Sequence, residues 1–200
     1  MGLDEILFIP AGIPPHKIDE DLASPADRFK MVEMAISDYP FLKISDFEIK
    51  RTEKSYSIDT VRSLKKSHPS TDFFFIIGLD AFMEIESWKD WSILLQAVRF
   101  IVVSRPGYPF AHLVRLPFFK GPSVENLARM DNQRINRLDV HLNELPTLIL
   151  LHIDPRPISS SEIRQTLKLT GRLGNNLLPE QVKSFILKKS IFKSKVKDLP

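Results

Sequence analysis

The chain contains no cysteine, which excludes a disulfide framework and any thiolate-ligated metal site and agrees with a reducing cytoplasm. Long apolar runs are missing as well. The longest, Phe73–Gly78 and Phe100–Val103, are strand-length and far short of the ~20 residues that cross a bilayer, so no membrane partner is expected. The stretch Met1–Glu5 has no basic region ahead of its apolar residues, and Ile6 stands where a myristoylation motif needs Ser or Thr; neither a signal peptide nor a lipid anchor is read there. An excess of one charge is also lacking. Against 25 acidic residues stand 28 basic ones, a net charge of +3, too balanced to indicate a nucleic-acid partner. No Asp/Glu/His cluster has metal-ligand spacing, and no internal repeat is visible.

What is present describes a globular chain. Its 200 residues, 43% hydrophobic and 26% charged with 15 prolines, can bury one sizeable core, so residues 1–190 are expected to form a single domain. Lys188, Lys189, Lys193, Lys195 and Lys197 form a basic end, with 191–200 read as a solvated tail.

Strand and helix patterns alternate along the sequence. Glu5–Ile9 reads as a strand, and Pro10-Ala11-Gly12-Ile13-Pro14-Pro15 as a rigid loop. Ser24 as N-cap, Pro25 at the first helical position and Asp27 near the dipole announce a helix that Pro40 stops. A second strand is expected at Ile44–Ile49 and a helix at about Ile58–Lys66. Phe73–Ile77 has the unbroken apolar character of a strand buried on both faces. Helix at about Trp88–Ala97, strands at Arg99–Val103 and Leu148–Ile153, helix at Ser160–Thr170 and a last helix after Pro179 complete the series. Residues 111–146 read as a divergent insertion in which Leu127, Met130, Ile135, Leu138 and Leu142 line one side of a helical segment. The alternation predicts an α/β fold, a parallel sheet with helices on both faces. Such sheets bind ligands beyond the carboxyl ends of their strands, where Pro10, Gly78, Ser104 and Asp154 fall.

Chemistry concentrates at Ile158-Ser159-Ser160-Ser161-Glu162-Ile163-Arg164. Ser159 with Glu162 is a capping box, so a helix begins there with free N–H groups and a dipole that favours an anion. Arg164 adds a planar fork suited to phosphate oxygens. The same box also opens ordinary surface helices, and the motif gains weight from its neighbours. Asp80, just after Gly78, suits either ribose hydroxyls or the cap of a following helix. By residue type alone Trp88 is better read as core; a His16-Lys17 pair in a loop is usually just solvated, but the rigid prolines before it hold the pair in place, which favours binding.

Taken together, these segments resemble the bacterial nicotinate-nucleotide adenylyltransferases, nucleotidyltransferases with a Rossmann-like fold. The resemblance runs through Phe8-Ile9-Pro10-Ala11-Gly12 with Pro14-Pro15-His16-Lys17, Ala23-Ser24-Pro25 with Arg28, and Ser55-Tyr56-Ser57-Ile58-Asp59-Thr60. It continues through Phe75-Ile76-Ile77-Gly78-Leu79-Asp80-Ala81-Phe82, Trp88, Ile101-Val102-Val103-Ser104-Arg105-Pro106-Gly107, the serine motif, and Leu178-Pro179-Glu180. One departure stands out. Members of this family open with a glycine-rich loop and a His-x-Gly-His helix start that holds the ATP phosphates, and neither is present. None of the five histidines, His16, His68, His112, His141 and His152, is followed by Gly. A strand, loop and helix of about 25 residues are thus expected to be missing, including the first central strand, and Met1 is expected to be a misplaced start. No catalytic residue is therefore assigned, and a chain without that strand is expected to be unstable and prone to aggregate.

The resemblance implies adenylyl transfer from ATP to nicotinate mononucleotide in NAD biosynthesis, in the cytoplasm, with Mg²⁺ carried by the ATP phosphates and no protein metal site. It leaves a homo-oligomer open. It places Ser160, Ser161 and Arg164 at the ATP phosphates, Gly78, Asp80 and Arg105 at the nucleoside, and Trp88, Ser57, His16 and Lys17 at the nicotinate nucleotide. Trp88 would stack on the pyridine ring and Ser57, with nearby amides, receive its carboxylate. Two other readings stay open: a related nucleotidyltransferase with another phosphate acceptor such as phosphopantetheine, and a non-catalytic nucleotide-binding remnant.

Overall fold

A computed structural model describes residues 2–15, 22–142, 146–154, 158–174 and 177–192. His16, Lys17 and 193–200 of the basic tail lie outside them. The chain folds as two compact units, one made of residues 1–55 with 158–200 and the other of residues 56–157.

In the unit of residues 56–157, an α/β alternation generates a four-stranded sheet. Its elements are α2 (Ser57–Ser67), β3 (Phe74–Gly78), α3 (Leu79–Met83), α4 (Trp91–Ala97), β4 (Arg99–Val103), α5 (Val124–Asp131), β5 (Arg137–Val140) and β6 (Leu148–Leu151). The strands run in the order β3-β4-β6-β5. Strands β3, β4 and β6 are parallel, with Ile76 beside Ile101 and Ile101 beside Ile149. Their apolar, β-branched composition suits strands covered by helices, and α3 and α4 pack on this sheet. The core is anchored by fully buried Ile58, Leu79, Phe82, Leu94, Phe100, Phe110 and Leu150. Rings meet within it, Phe75 with Phe100 at 5.2 Å and Phe82 with Phe100 at 5.7 Å.

The structure corrects three expectations. The second strand is Leu42–Ile44, earlier than Ile44–Ile49. After Ile44 the chain turns, because Ser45 Oγ accepts from Phe47 N and Asp46 O accepts from Lys50 N, local bonds that compete with a ladder. The helical insertion is only partly helical: Leu127 and Met130 lie in α5, but Leu138 lies in β5, which pairs antiparallel with β6. Helical spacing had hidden a short edge strand. Finally, Phe73–Ile77 is not buried on both faces. Among the described residues β3 pairs only with β4, and Ile76 is 43% exposed.

The unit of residues 1–55 with 158–200 holds β1 (Ile6–Phe8), α1 (Pro25–Ile36), β2 (Leu42–Ile44), α6 (Ser160–Thr170) and α7 (Glu180–Lys188). β1 pairs parallel with β2, and Leu7 and Phe8 stay exposed. Helix α1 starts as its sequence dictates, with Ser24 Oγ accepting from Asp27 N at 3.1 Å and Pro25 in the first turn. It packs against α7 through a small core that includes Met31, Leu167, Val182 and Ile186. Lys189 donates to Asp27, and this bond, with that from Ser24, holds the Asp27 carboxyl below its ordinary pKa.

Candidate functional site

The carboxyl ends of β3, β4 and β6 open onto a crevice of about 410 Å³, lined by Gly78, Asp80, Ala81, Ser104, Arg105 and Asp154 among others. Strand-end geometry explains its position. Gly78 leaves room beside the strand end: a Cβ there would lie 2.5 Å from Asp80 Oδ1, so any side chain would push the carboxylate aside. The carboxylate of Asp80 therefore folds back over the glycine, and its Oδ2 accepts from Arg105 Nε at 3.1 Å. Gly78, not Asp80, is the N-cap of α3, and it provides no side-chain cap. That removes the helix-cap reading of Asp80. Asp80 and Arg105 both line the crevice.

Ser104, 7% exposed, sets the width of the opening. Beyond the last ladder pair, Val103 with Leu151, its backbone N donates to Leu151 O at 3.0 Å. Its Oγ then donates to Ile153 O at 2.8 Å and accepts from Ile153 N at 2.9 Å. One hydroxyl thus satisfies a whole peptide position where the strands part. The strand-end rule marked Ser104, but its role as a strut depends on a residue 49 positions away, which no local pattern reveals.

Trp88 and Ser57 belong to the same unit. Trp88 follows a 3₁₀ turn at Ile85–Ser87, and its ring meets Phe75 edge to face at 6.1 Å. It is partly buried against the core, which joins the packing reading to the platform one. Ser57 opens α2 after Tyr56, which provides no side-chain cap; Asp59 N already donates to Tyr56 O at 3.1 Å, so the amides of Ser57 and Ile58 are those for which the helix itself offers no acceptor.

In the other unit, α6 begins with the N-cap half of the box: Ser159 Oγ accepts from Glu162 N at 3.4 Å. Arg164 Nη2 donates to Ser161 Oγ at 3.2 Å, which turns the guanidinium toward the helix start. Ser160, Ser161 and Arg164 are thereby brought to one anion-favouring end. The proline loop is fixed on its near side. Gly12 N donates to Ser55 Oγ at 3.0 Å, Arg28 Nη2 donates to Gly12 O at 2.9 Å, and Arg28 Nε donates to Ala23 O at 3.2 Å. Burial holds the Arg28 guanidinium below its ordinary pKa. Sequence reasoning noted Arg28 without a role; its partners are carbonyls, which leave no mark in composition.

Residues 1–166 match the family model described as cytidylyltransferase-like. The probable nicotinate-nucleotide adenylyltransferase of Desulfitobacterium hafniense (strain Y51) is 36% identical over 193 residues, covering 96% of this chain and 83% of the relative. The one from Geotalea daltonii is 37% identical over 194 residues, covering 96% and 86%. The chain belongs to the nicotinate-nucleotide adenylyltransferase family. Its fold agrees with that of a solved Plasmodium falciparum nicotinic acid mononucleotide adenylyltransferase complexed with NaAD, at TM-score 0.67 and 19% identity over 95% of this chain and 83% of that one. Among the described residues no helix is long and apolar enough to cross a membrane. In this family context the crevice at Gly78, Asp80 and Arg105 becomes the candidate nucleoside site, and the start of α6 the candidate polyphosphate site.

Proposed function

We propose that this chain takes part in the family's reaction, transfer of the adenylyl group of ATP to nicotinate mononucleotide. A phosphate oxygen of the mononucleotide attacks the α-phosphorus, the bond from that phosphorus to the β-phosphate bridge breaks, and nicotinate adenine dinucleotide and pyrophosphate result. The observation that carries the reading is the Asp80–Arg105 pair, which sits at the strand ends and lines the crevice with an acceptor and a planar donor side by side. Asp80 would accept from ribose hydroxyls, and Gly78 would let the backbone approach the nucleoside. Ser160, Ser161 and Arg164 would hold the β- and γ-phosphates, matching a helix start and a planar cation to a leaving anion. Trp88 would stack on the pyridine, the amides at Ser57 would receive its carboxylate, and His16 and Lys17 would meet the mononucleotide phosphate.

Among the described residues no three His, Asp or Glu side chains converge into a metal cage. A Mg²⁺ ion would arrive with the nucleotide's phosphates, where it would offset charge developing on the polyphosphate. The protein's part is alignment of two anions. A cytoplasmic setting fits a chain without cysteine.

The alternative that an experiment has to exclude is a nucleotide binder without turnover. Pyrophosphate release with Mg-ATP and nicotinate mononucleotide, measured beside equilibrium binding of each, separates the two. Release above the enzyme-free rate that falls at least tenfold in Asp80→Ala supports transfer. Binding of both ligands with no release supports the binder, and binding of neither refutes both.

A further inference from the structure

The loop that follows Trp88 is tied to the start of α2 by charges that no function above employs. Lys89 Nζ donates to Asp59 Oδ2 at 3.0 Å and lies 4.6 Å from the centroid of the Tyr56 ring. Tyr56 is the N-cap of α2 and Asp59 stands in its first turn. Arg62, also on α2, reaches Asp59 Oδ1 at 3.9 Å and Asp90 Oδ2 at 3.6 Å. Asp90 is a non-glycine residue at φ 50°, a left-handed conformation that persists only where surroundings hold it. Two consecutive residues after Trp88 are thus fastened to one helix start, while the Trp88 ring rests on Phe75.

We infer that Lys89 is a positioning residue, which sets the spacing between the Trp88 ring and the first turn of α2 and does not serve as counter-ion to a ligand carboxylate. The inference rests on the pyridine-side reading of Trp88 and Ser57. Two arguments carry it. Lys89, Arg62, Asp59 and Asp90 sum to zero charge, so the cluster presents no net cationic field to an anion. The ammonium is also committed, to a carboxylate and to an aromatic face, and its pKa is raised chiefly by the Asp59 hydrogen bond, so it stays charged in that role. Discrimination between a pyridine carboxylate and its amide then falls to the amides of Ser57 and Ile58 at the start of α2, and Lys89 acts on both ligands alike.

The test uses the full chain with Trp91→Phe, which leaves Trp88 as its single tryptophan. Lys89→Met keeps the stem and removes the charge, and Lys89→Arg restores it. Lys89→Met should shift the emission and anisotropy of Trp88 without ligand. It should weaken nicotinate and nicotinamide mononucleotide about three- to fivefold each, the scale of a small exposed charge network. Mg-ATP affinity should stay within twofold, and Lys89→Arg should recover most of the loss. A loss confined to the nicotinate form would show direct contact with the carboxylate and overturn the inference. Unchanged Trp88 emission overturns it whatever the ligands do, as does shifted emission with both mononucleotide affinities unchanged. Should the parent chain bind ATP but neither mononucleotide, the pyridine-side reading fails, and Trp88 emission alone decides whether the clamp exists.

Discussion

Replacing Ser104 by Ala removes one oxygen and, with it, the hydrogen-bond partner of both the N–H and the C=O of Ile153. The hydroxyl donates to Ile153 O at 2.8 Å and accepts from Ile153 N at 2.9 Å. A protein hydrogen bond contributes about 0.5–1.5 kcal/mol net, and a stranded buried group costs more. Two such bonds give about 1–3 kcal/mol. Ile153 is 42% exposed and lines the crevice, so water can take over part of the pairing and the cost should settle at about 1–2 kcal/mol. The most local assay is amide hydrogen exchange. The Ile153 amide should exchange about five- to thirtyfold faster in Ser104→Ala, since 1.4 kcal/mol is a factor of ten. Amides of Ile101 and Val102, deeper in the ladder, should change little. Because the strut sets the gap between the ends of β4 and β6, affinity for Mg-ATP should fall in parallel. Unchanged exchange at Ile153 would refute the strut, and faster exchange with unchanged ATP affinity would detach the strut from the nucleoside site.

Gly12→Ala should be far more damaging than its size suggests, because a Cβ there would lie 2.2 Å from the backbone oxygen of Glu48; a loss of about 2–4 kcal/mol is expected in denaturant unfolding, and a loss below 0.5 kcal/mol would contradict the geometry. Strand β3 runs Phe-Phe-Ile-Ile-Gly with no charge, and among the described residues one edge has no strand partner, the unprotected type that promotes association. Ile76→Lys should therefore raise the concentration at which light scattering appears, and unchanged or earlier scattering would refute that assignment. Asp27 has a depressed pKa, so its stabilising effect is present above the carboxyl's ordinary 3.8 and lost as pH falls through the lower folded value. Asp27→Asn should cost under about 1 kcal/mol at pH 7, given an exposed partner in Lys189, and the difference from the parent should vanish in acid; a gap that persists below pH 2 would exclude a charge effect.

The sequence by itself determined the elements whose causes are local. Ser24, Pro25 and Asp27 start α1, and Ser159 with Glu162 starts α6, because a cap needs only a hydroxyl within three residues of an orphan amide. Apolar runs located β3, β4 and β6, and the alternation of strand and helix set the α/β class and the strand ends where ligands bind. Family motifs spread along the chain pointed to the reaction. Only the tertiary structure decided what depends on residues far apart. Strand β5 was legible but missed: Arg137–Val140 alternates polar and apolar residues as a half-buried strand does, while the spacing of Leu138 from Met130 and Ile135 assigns it instead to a helical face; pairing with β6 decides between the two. The Asp80–Arg105 pair joins residues 25 positions apart, Lys89 finds Asp59 over 30, and Ser104 reaches Ile153 over 49. Hydrogen bonds and ion pairs act over about 3 Å, and which residues come within that range is fixed by the folded path of the chain, not by their spacing along it.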